Sequence, residues 1–267
     1  MRRFLAHEGR LFAVALQFLT RVPVSLRGFD PQWLNQCARY FPLVGGLVGA
    51  AGAATLLLAA TTWSLPVAVV ASMALTAWLT GGFHEDGLAD TCDGLGGAVS
   101  RSRALEIMKD SRVGSYGVLG LVFTLAAKAA ATLALCGHDL RQAAIGIVFA
   151  HVASRAMPLI LLRVLPYAGD LAQAKAKPLA RQVSRGCVAA ALSMALVIAM
   201  LAIAAGLSAR AVATAVVAAL VTTGACAPWF MRRLGGFTGD TLGAVQQWSE
   251  LAVLLALGTG FGGDFAP

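Results

Sequence analysis

Hydrophobic residues run along this chain in long blocks rather than in short alternations. Seven apolar stretches can be drawn, at 43–62, 66–80, 114–137, 142–162, 187–206, 211–231 and 248–261. Most reach the ~20 residues that a helix needs to cross ~30 Å of hydrocarbon. The pattern predicts an all-α, polytopic membrane protein with about seven transmembrane segments, folded as a single helical-bundle domain over residues 1–267. Residues 1–42 form an N-terminal segment with a basic start and an apolar run from Leu11 to Leu19. Thr20-Arg21-Val22-Pro23 follows where a signal peptide would carry a small-residue cleavage site, so an interfacial helix is expected there. The second and last stretches are short. For the second, the expected remedy is a helix that continues through Gly81 into the polar residues beyond, although Gly81-Gly82 can also break it.

Composition supports this reading: 58% of residues are hydrophobic, 13% are charged, and the mean hydropathy is +0.74. Ala and Gly dominate the apolar stretches, with 29 Gly, and small residues let membrane helices pack backbone to backbone. The net charge of +8 is spread over short loops with no basic helix, aromatic platform or zinc pattern, which argues against nucleic acid as a partner. Topology explains it better. Lys and Arg number six in 1–42, four in 81–113, five in 163–186 and two in 232–247, against none, one, one and none in 63–65, 138–141, 207–210 and 262–267. This asymmetry predicts a cytoplasmic N-terminus and places every acid-rich loop on the cytoplasmic side. Cys37, Cys92, Cys136, Cys187 and Cys226 are isolated in or near apolar stretches and read as packing residues. The bilayer is the expected environment, and a homo-oligomeric assembly stays open.

The densest chemistry lies in Gly81-Gly82-Phe83-His84-Glu85-Asp86-Gly87-Leu88-Ala89-Asp90-Thr91-Cys92-Asp93-Gly94, in a chain with only 13 acidic residues. If this segment is helical, Asp86, Asp90 and Asp93 project from one face at i, i+4 and i+7. Like charges ~6 Å apart at an effective dielectric of about 20 repel by roughly 2–3 kcal/mol per pair, and a divalent cation is the simplest counter-charge. A second constellation, Glu106-Ile107-Met108-Lys109-Asp110-Ser111-Arg112-Val113-Gly114-Ser115-Tyr116-Gly117, sets Asp110 between Lys109 and Arg112. That mixture suits a metal-bound phosphate beside cationic side chains. A third, Gly235-Gly236-Phe237-Thr238-Gly239-Asp240-Thr241-Leu242-Gly243 with Gln246, Gln247 and Glu250 following, places Asp240 and Glu250 at an expected membrane edge. Lys128 and Arg155 remain inside spans. There they serve either as internal ion-pair partners or, for Arg155, as a phosphate contact.

Together these features point to phosphoryl or nucleotidyl-phosphate transfer. Mg²⁺ or Mn²⁺ would bridge the diphosphate oxygens to the carboxylates, since hard oxygen donors predominate and no His/Cys ligand set is present. The expected metal set is Asp86, Asp90, Asp93 and Asp110. Glu85, about 100° off the stripe, is left out. Proton-transfer candidates are Asp110, a stripe carboxylate, and His84, and the residues do not choose among them. Lys109, Arg112 and Arg155 are expected at phosphate oxygens, with Asp240 and Glu250 binding the acceptor or closing the metal shell.

At these residues the chain resembles the cobalamin synthases, the adenosylcobinamide-GDP ribazoletransferases. The resemblance rests on Gly82 to Leu95, on Glu106 to Arg112 with Gly114 and Gly117, and on Gly236-Phe237-Thr238-Gly239-Asp240 with Leu242-Gly243-Ala244. Arg39-Tyr40-Phe41-Pro42-Leu43-Val44-Gly45 and Phe18-Leu19-Thr20-Arg21-Val22-Pro23-Val24 are also similar to the family. It implies a multi-pass enzyme of the cell inner membrane, acting in Mg²⁺-dependent nucleotide-loop assembly. The cobinamide phosphate of adenosylcobinamide-GDP would pass to α-ribazole or α-ribazole 5′-phosphate, with release of GMP. CDP-alcohol phosphotransferases, which use DxxDGxxAR followed by GxxxDxxxD, are matched only in part. Asp90-Thr91-Cys92-Asp93-Gly94 echoes the start, but Gly97-Ala98 stands where Ala-Arg should be, and Asp110 has no acid four residues on. A lipid-directed enzyme of that kind and a cation transporter are the alternatives.

Overall fold

The computed structural model describes residues 2–26, 28, 30–169 and 182–259, with side chains from residue 5 onward. Arg27, Lys175, Lys177 and Arg181 of the basic loops lie outside the described residues, as do 260–261 of the last predicted stretch and the 262–267 tail.

Among the described residues, each predicted stretch is helical over most of its length. The order is α1 (Arg2–Leu19), α2 (Pro31–Cys37), a 3-10 turn (Ala38–Tyr40), α3 (Phe41–Ala59), α4 (Leu65–Thr80), α5 (Phe83–Gly96), α6 (Arg101–Ile107), α7 (Ser115–His138), α8 (Leu140–Val164), α9 (Arg185–Ala204), α10 (Ala209–Leu234) and α11 (Gly239–Thr259). Among the described residues there are no strands, only one isolated bridge between Tyr167 and Phe237. Five stretches are long and apolar enough to cross a membrane: Pro31–Ala59, α7, α8, α9 and α10. Counting α4 with α5 as one broken span makes six.

Of the seven expected stretches, five or six thus qualify by length and composition among the described residues, and two physical features set the others apart. Helix α11 carries Asp240, Gln246, Gln247 and Glu250 within its 21 residues. Helix α4 has only 16 residues and does not continue into the acidic segment, because the chain turns by 90° between α4 and α5. Gly81 and Gly82 take φ 71° and 69°, a left-handed conformation that costs glycine little. Gly82 N–H donates to the Ala77 carbonyl at 2.8 Å and Gly81 N–H to Trp78 at 3.1 Å. This double bond is the Schellman arrangement that satisfies a helix's last carbonyls. Of the two behaviours open to Gly81-Gly82, the break is the one adopted.

Helix α8 runs through the centre, buried along most of its length. It is covered by α3 through Gly45 and Gly49, where an added Cβ would meet the His151 carbonyl or the Val148 backbone. Small residues in such a row bring two helices close enough for their backbones to touch. The amphipathic α1 buries Leu11, Val14, Ala15 and Leu19, and its Glu8 accepts from Tyr40 Oη at 2.6 Å. The five cysteines are free, four of them buried, as packing residues should be.

The described parts of the four basic loops gather at one end of the bundle. Arg21 N–H donates to the Leu79 carbonyl at 2.8 Å. Arg101 Nε donates to the Leu234 carbonyl and Arg233 Nη2 to Gly97, at 2.5 and 2.7 Å. Phe237 N–H donates to Pro166, and Ala168 N–H to Phe237, at 2.9 and 2.8 Å. The carbonyls at these helix ends are thus closed by cations and by backbone of neighbouring loops.

Candidate active site

Helix α5 lies across that end and presents two chemically different faces. Asp86 is exposed, and Asp90 and Asp93 are half-buried, so the expected stripe exists, open at Asp86 and partly covered at Asp90 and Asp93. Asp93 is already engaged: Oδ2 accepts from Gly114 N–H at 2.7 Å and Oδ1 from Gly117 N–H at 2.8 Å. It caps the first turn of α7, where unpaired N–H groups and the helix dipole favour an anion. The two glycines are needed because a Cβ at either would run into the Asp93 carboxylate.

Asp110 sits in the turn between α6 and α7, where its carboxylate forms a two-pronged pair with Arg112. Arg112 Nε donates to Oδ1 at 3.0 Å and Nη2 to Oδ2 at 2.6 Å. The guanidinium holds the Asp110 carboxyl down at about 2, which makes it a weak proton acceptor near neutrality. Lys109 is exposed nearby. Among the described residues, no three His, Cys, Asp or Glu side chains come close enough to hold a metal ion together. The four carboxylates expected to share one site therefore do not form a ready-made cage.

Asp240 arrives from α11. Thr238 and Thr241 cap that helix reciprocally, with Thr241 N–H donating to Thr238 Oγ1 at 3.2 Å and Thr238 N–H to Thr241 Oγ1 at 2.9 Å. Gly87 then lets α5 rest on this helix start, since a Cβ there would lie 2.8 Å from the Asp240 carbonyl. Gly243 is the matching gap on α11, facing the His84 carbonyl. Gly87 and Gly243 thus serve close helix packing, and that packing sets Asp240 beside the acidic helix.

Glu250, Arg155 and His84 fall elsewhere. Glu250 was expected at the membrane edge, but it is 3% exposed in the middle of the bundle. Its Oε1 lies 2.6 Å from Lys128 Nζ, and its Oε2 lies 3.3 Å from His151 Nδ1 and 3.9 Å from Arg155 Nη1. Gln246 Nε2 donates to Oε2 at 2.6 Å and to Ser154 Oγ at 3.0 Å. The correction has a physical cause: Lys128 and Arg155 inside spans demand a counter-charge, and Glu250 is the acid at their depth. Of the two roles open to Arg155, internal pairing is the one seen. His84 points from α5 into the bundle, lining a cavity of about 50 Å³ with Arg155 and Gln246, on the side opposite the stripe.

Three residues of this interior were not singled out as a group by the sequence: His151, Gln247 and Glu85. Gln247 Nε2 donates to Glu85 Oε1 at 3.0 Å and its Oε1 accepts from Lys128 Nζ at 3.0 Å. The available signal was the 100° offset of Glu85 from the stripe, which turns it toward the bundle.

The family model described as cobalamin-5-phosphate synthase matches residues 11–258, a span that includes α5, the Asp110 turn and nearly all of α11. The chain belongs to the cobalamin-5-phosphate synthase family. The adenosylcobinamide-GDP ribazoletransferase of Leptothrix cholodnii is 57% identical over 252 residues, covering 94% of this chain and 96% of that one. Those of Polaromonas naphthalenivorans and Vibrio cholerae are 44% identical over 280 residues and 40% over 258. They cover 96% of this chain in each case, and 99% and 96% of their own lengths. No solved structure matches the chain.

For a cobalamin-5-phosphate synthase, the donors on α5 are chemically suited to a hard divalent cation. Mg²⁺ is usually held by one or two carboxylates, with waters and substrate phosphates completing its octahedron, rather than by an all-protein cage. Asp86 and Asp90, one turn apart on an accessible edge, meet that requirement.

Proposed function

We propose that this chain is an adenosylcobinamide-GDP ribazoletransferase, a transferase of cobalamin biosynthesis, and that it works at the α5 edge. The carrying observation is similarity over nearly the whole chain to relatives of that name, 57% identical in one case. A ribose hydroxyl of α-ribazole, or of its 5′-phosphate, attacks the cobinamide-linked phosphorus. The bond from that phosphorus to the bridging oxygen breaks, GMP departs with the oxygen, and the hydroxyl proton passes to a basic group or water. Such a transfer needs mainly positioning and neutralisation of charge.

Asp86 and Asp90, with Asp240 alongside, would hold Mg²⁺, which when bound offsets the diphosphate charge and improves GMP as a leaving group. Lys109 and Arg112 take phosphate oxygens. Asp93 fixes α7 against α5 and so sets the spacing between carboxylates and cations. The end bearing the basic loops faces the cytoplasm of a bacterial inner membrane, following the bias of Lys and Arg. Glu250 does not support the cation-transport alternative, because Lys128 and Arg155 already neutralise it. The partial DxxDG match likewise gives little support to a CDP-alcohol substrate.

The test is turnover by the purified, detergent-solubilised protein given adenosylcobinamide-GDP, either ribazole form and Mg²⁺. A cobalamin product with stoichiometric GMP, abolished by EDTA, is expected. Folded protein that yields neither product would overturn the proposal.

A further inference from the structure

We infer that the cavity enclosed by α4, α5, α7, α8 and α11 is the acceptor site, taking the α-ribazole nucleoside with its apolar base among the helices and its ribose at Glu85. This rests on the function proposed above and names where one of its two substrates binds. The cavity holds about 340 Å³, within the usual range for compact organic ligands. Its walls are mainly apolar, with Met73, Leu125, Ala129 and Ile147 among them, and its polar floor is formed by Glu85, Lys128, His151 and Glu250.

The floor is not neutral in its hydrogen bonding. Glu85 Oε1 accepts from Gln247, but Oε2 is buried with no partner among the described residues. Neighbouring hydroxyls already donate elsewhere. Thr132 Oγ1 donates to the Lys128 carbonyl at 2.8 Å, Ser72 Oγ to Gly52 at 2.8 Å, and Thr76 Oγ1 to Met73 at 2.9 Å. Lys128 Nζ is shared between Glu250 and Gln247. A buried acceptor left without a donor is costly, so the fitting ligand brings a hydroxyl to this oxygen.

These demands select the occupant. A lipid acyl chain has no hydrogen to donate, and a lipid phosphate would meet a carboxylate. A nucleoside with an apolar base offers a flat apolar body and hydroxyl donors at one end. The rim residues Val70 and Ala74 are exposed on the outer side of α4, which opens the cavity toward the hydrocarbon between α4 and α7. Entry from the bilayer then gives a physical reason for placing this reaction in a membrane. Glu85 immediately precedes Asp86, so a single helix carries both the acceptor contact and the metal-binding edge. Glu85 is thus a positioning residue for the acceptor, turned inward from the helix whose outer face carries the aspartates.

The test uses the full chain in detergent, with Ala129→Phe to fill the cavity and Glu85→Gln to alter the ribose contact. Equilibrium dialysis with α-ribazole is run beside steady-state kinetics for both substrates. Ala129→Phe is expected to weaken α-ribazole binding and raise its KM by about tenfold or more, a change typical of a few misfitting carbons. The KM for adenosylcobinamide-GDP should stay within about twofold. Glu85→Gln should raise the acceptor KM severalfold with a smaller change in kcat. Unchanged α-ribazole binding and KM in a folded, active Ala129→Phe protein would overturn the inference, even with the transferase activity intact. Wild-type protein that binds α-ribazole in an Ala129→Phe-sensitive way but makes no product would leave the cavity assignment standing and overturn the proposed reaction. If Ala129→Phe fails to fold, Ala74→Trp at the rim gives the same readout, with the same two outcomes.

Discussion

Two charged regions share helix α5's neighbourhood and are built on opposite principles. Around Glu250, opposite charges are nearly sealed from solvent and each is answered by a partner within the bundle. Along Asp86, Asp90 and Asp93, like charges line an accessible edge. The first arrangement resembles a buried salt-bridge network, whose worth is chiefly that none of its members can be removed alone. The second gains little from the fold and is poised to attract cations. Opposite charges paired inside this bundle serve architecture, whereas like charges gathered on one helix edge suit chemistry. Glu85 lies at the seam, with one oxygen tied to the interior through Gln247 and the other without a donor.

The strongest way to break this contrast is to delete Glu250. Glu250→Ala strands Lys128 and Arg155 and should cost about 3–5 kcal/mol, seen as a large fall in the thermal midpoint or in yield of folded protein. Pairing Glu250→Met with Lys128→Met should recover part of that loss in a double-mutant comparison, because two apolar side chains replace a desolvated pair. A double variant no better than the single one would mean that Glu250 does more than balance charge.

Asp93 sharpens the contrast because it belongs to the stripe yet is held by backbone donors of α7. Asp93→Ala removes the cap of α7 and should cost about 0.5–2 kcal/mol, with activity falling further than that loss of folded protein explains. Gly117→Ala drives a methyl into the same carboxylate and should lower both stability and turnover while leaving every acid in place. The smallest effect is expected from Arg112→Ala. This exposed residue should leave the thermal midpoint unchanged and raise the KM for the diphosphate substrate a few-fold. The Asp110 carboxyl, held at about 2 against an ordinary 3.8, keeps its pairing above the ordinary value. It loses that pairing only as pH falls through about 2, so no titration of Asp110 should appear in the activity profile near neutrality.

Much of the bundle was legible because hydrophobic blocks and loop charge are statements about burial and topology, which act locally. The position of α5 was legible too, since spacing alone puts three acids on one face. What spacing could not show is which partners lie across the fold. Nothing near Asp93 announces that Gly114 and Gly117 donate to it. Glu250 reads as an edge residue until Lys128 and Arg155, more than 90 residues away in sequence, are brought to its depth. The break at Gly81-Gly82 was visible as an option. Choosing it required knowing that α5 packs across α11 through Gly87 and Gly243 rather than continuing α4.

The most direct test of the account is the turnover and thermal midpoint of purified Asp90→Asn, measured together across a range of Mg²⁺ concentrations. Expected is a folded protein with turnover lower by about 10²-fold or more, the loss typical of one preorganised electrostatic contact, and a raised Mg²⁺ requirement. A folded Asp90→Asn protein with wild-type turnover and unaltered Mg²⁺ dependence would contradict it and move the chemistry away from the α5 edge.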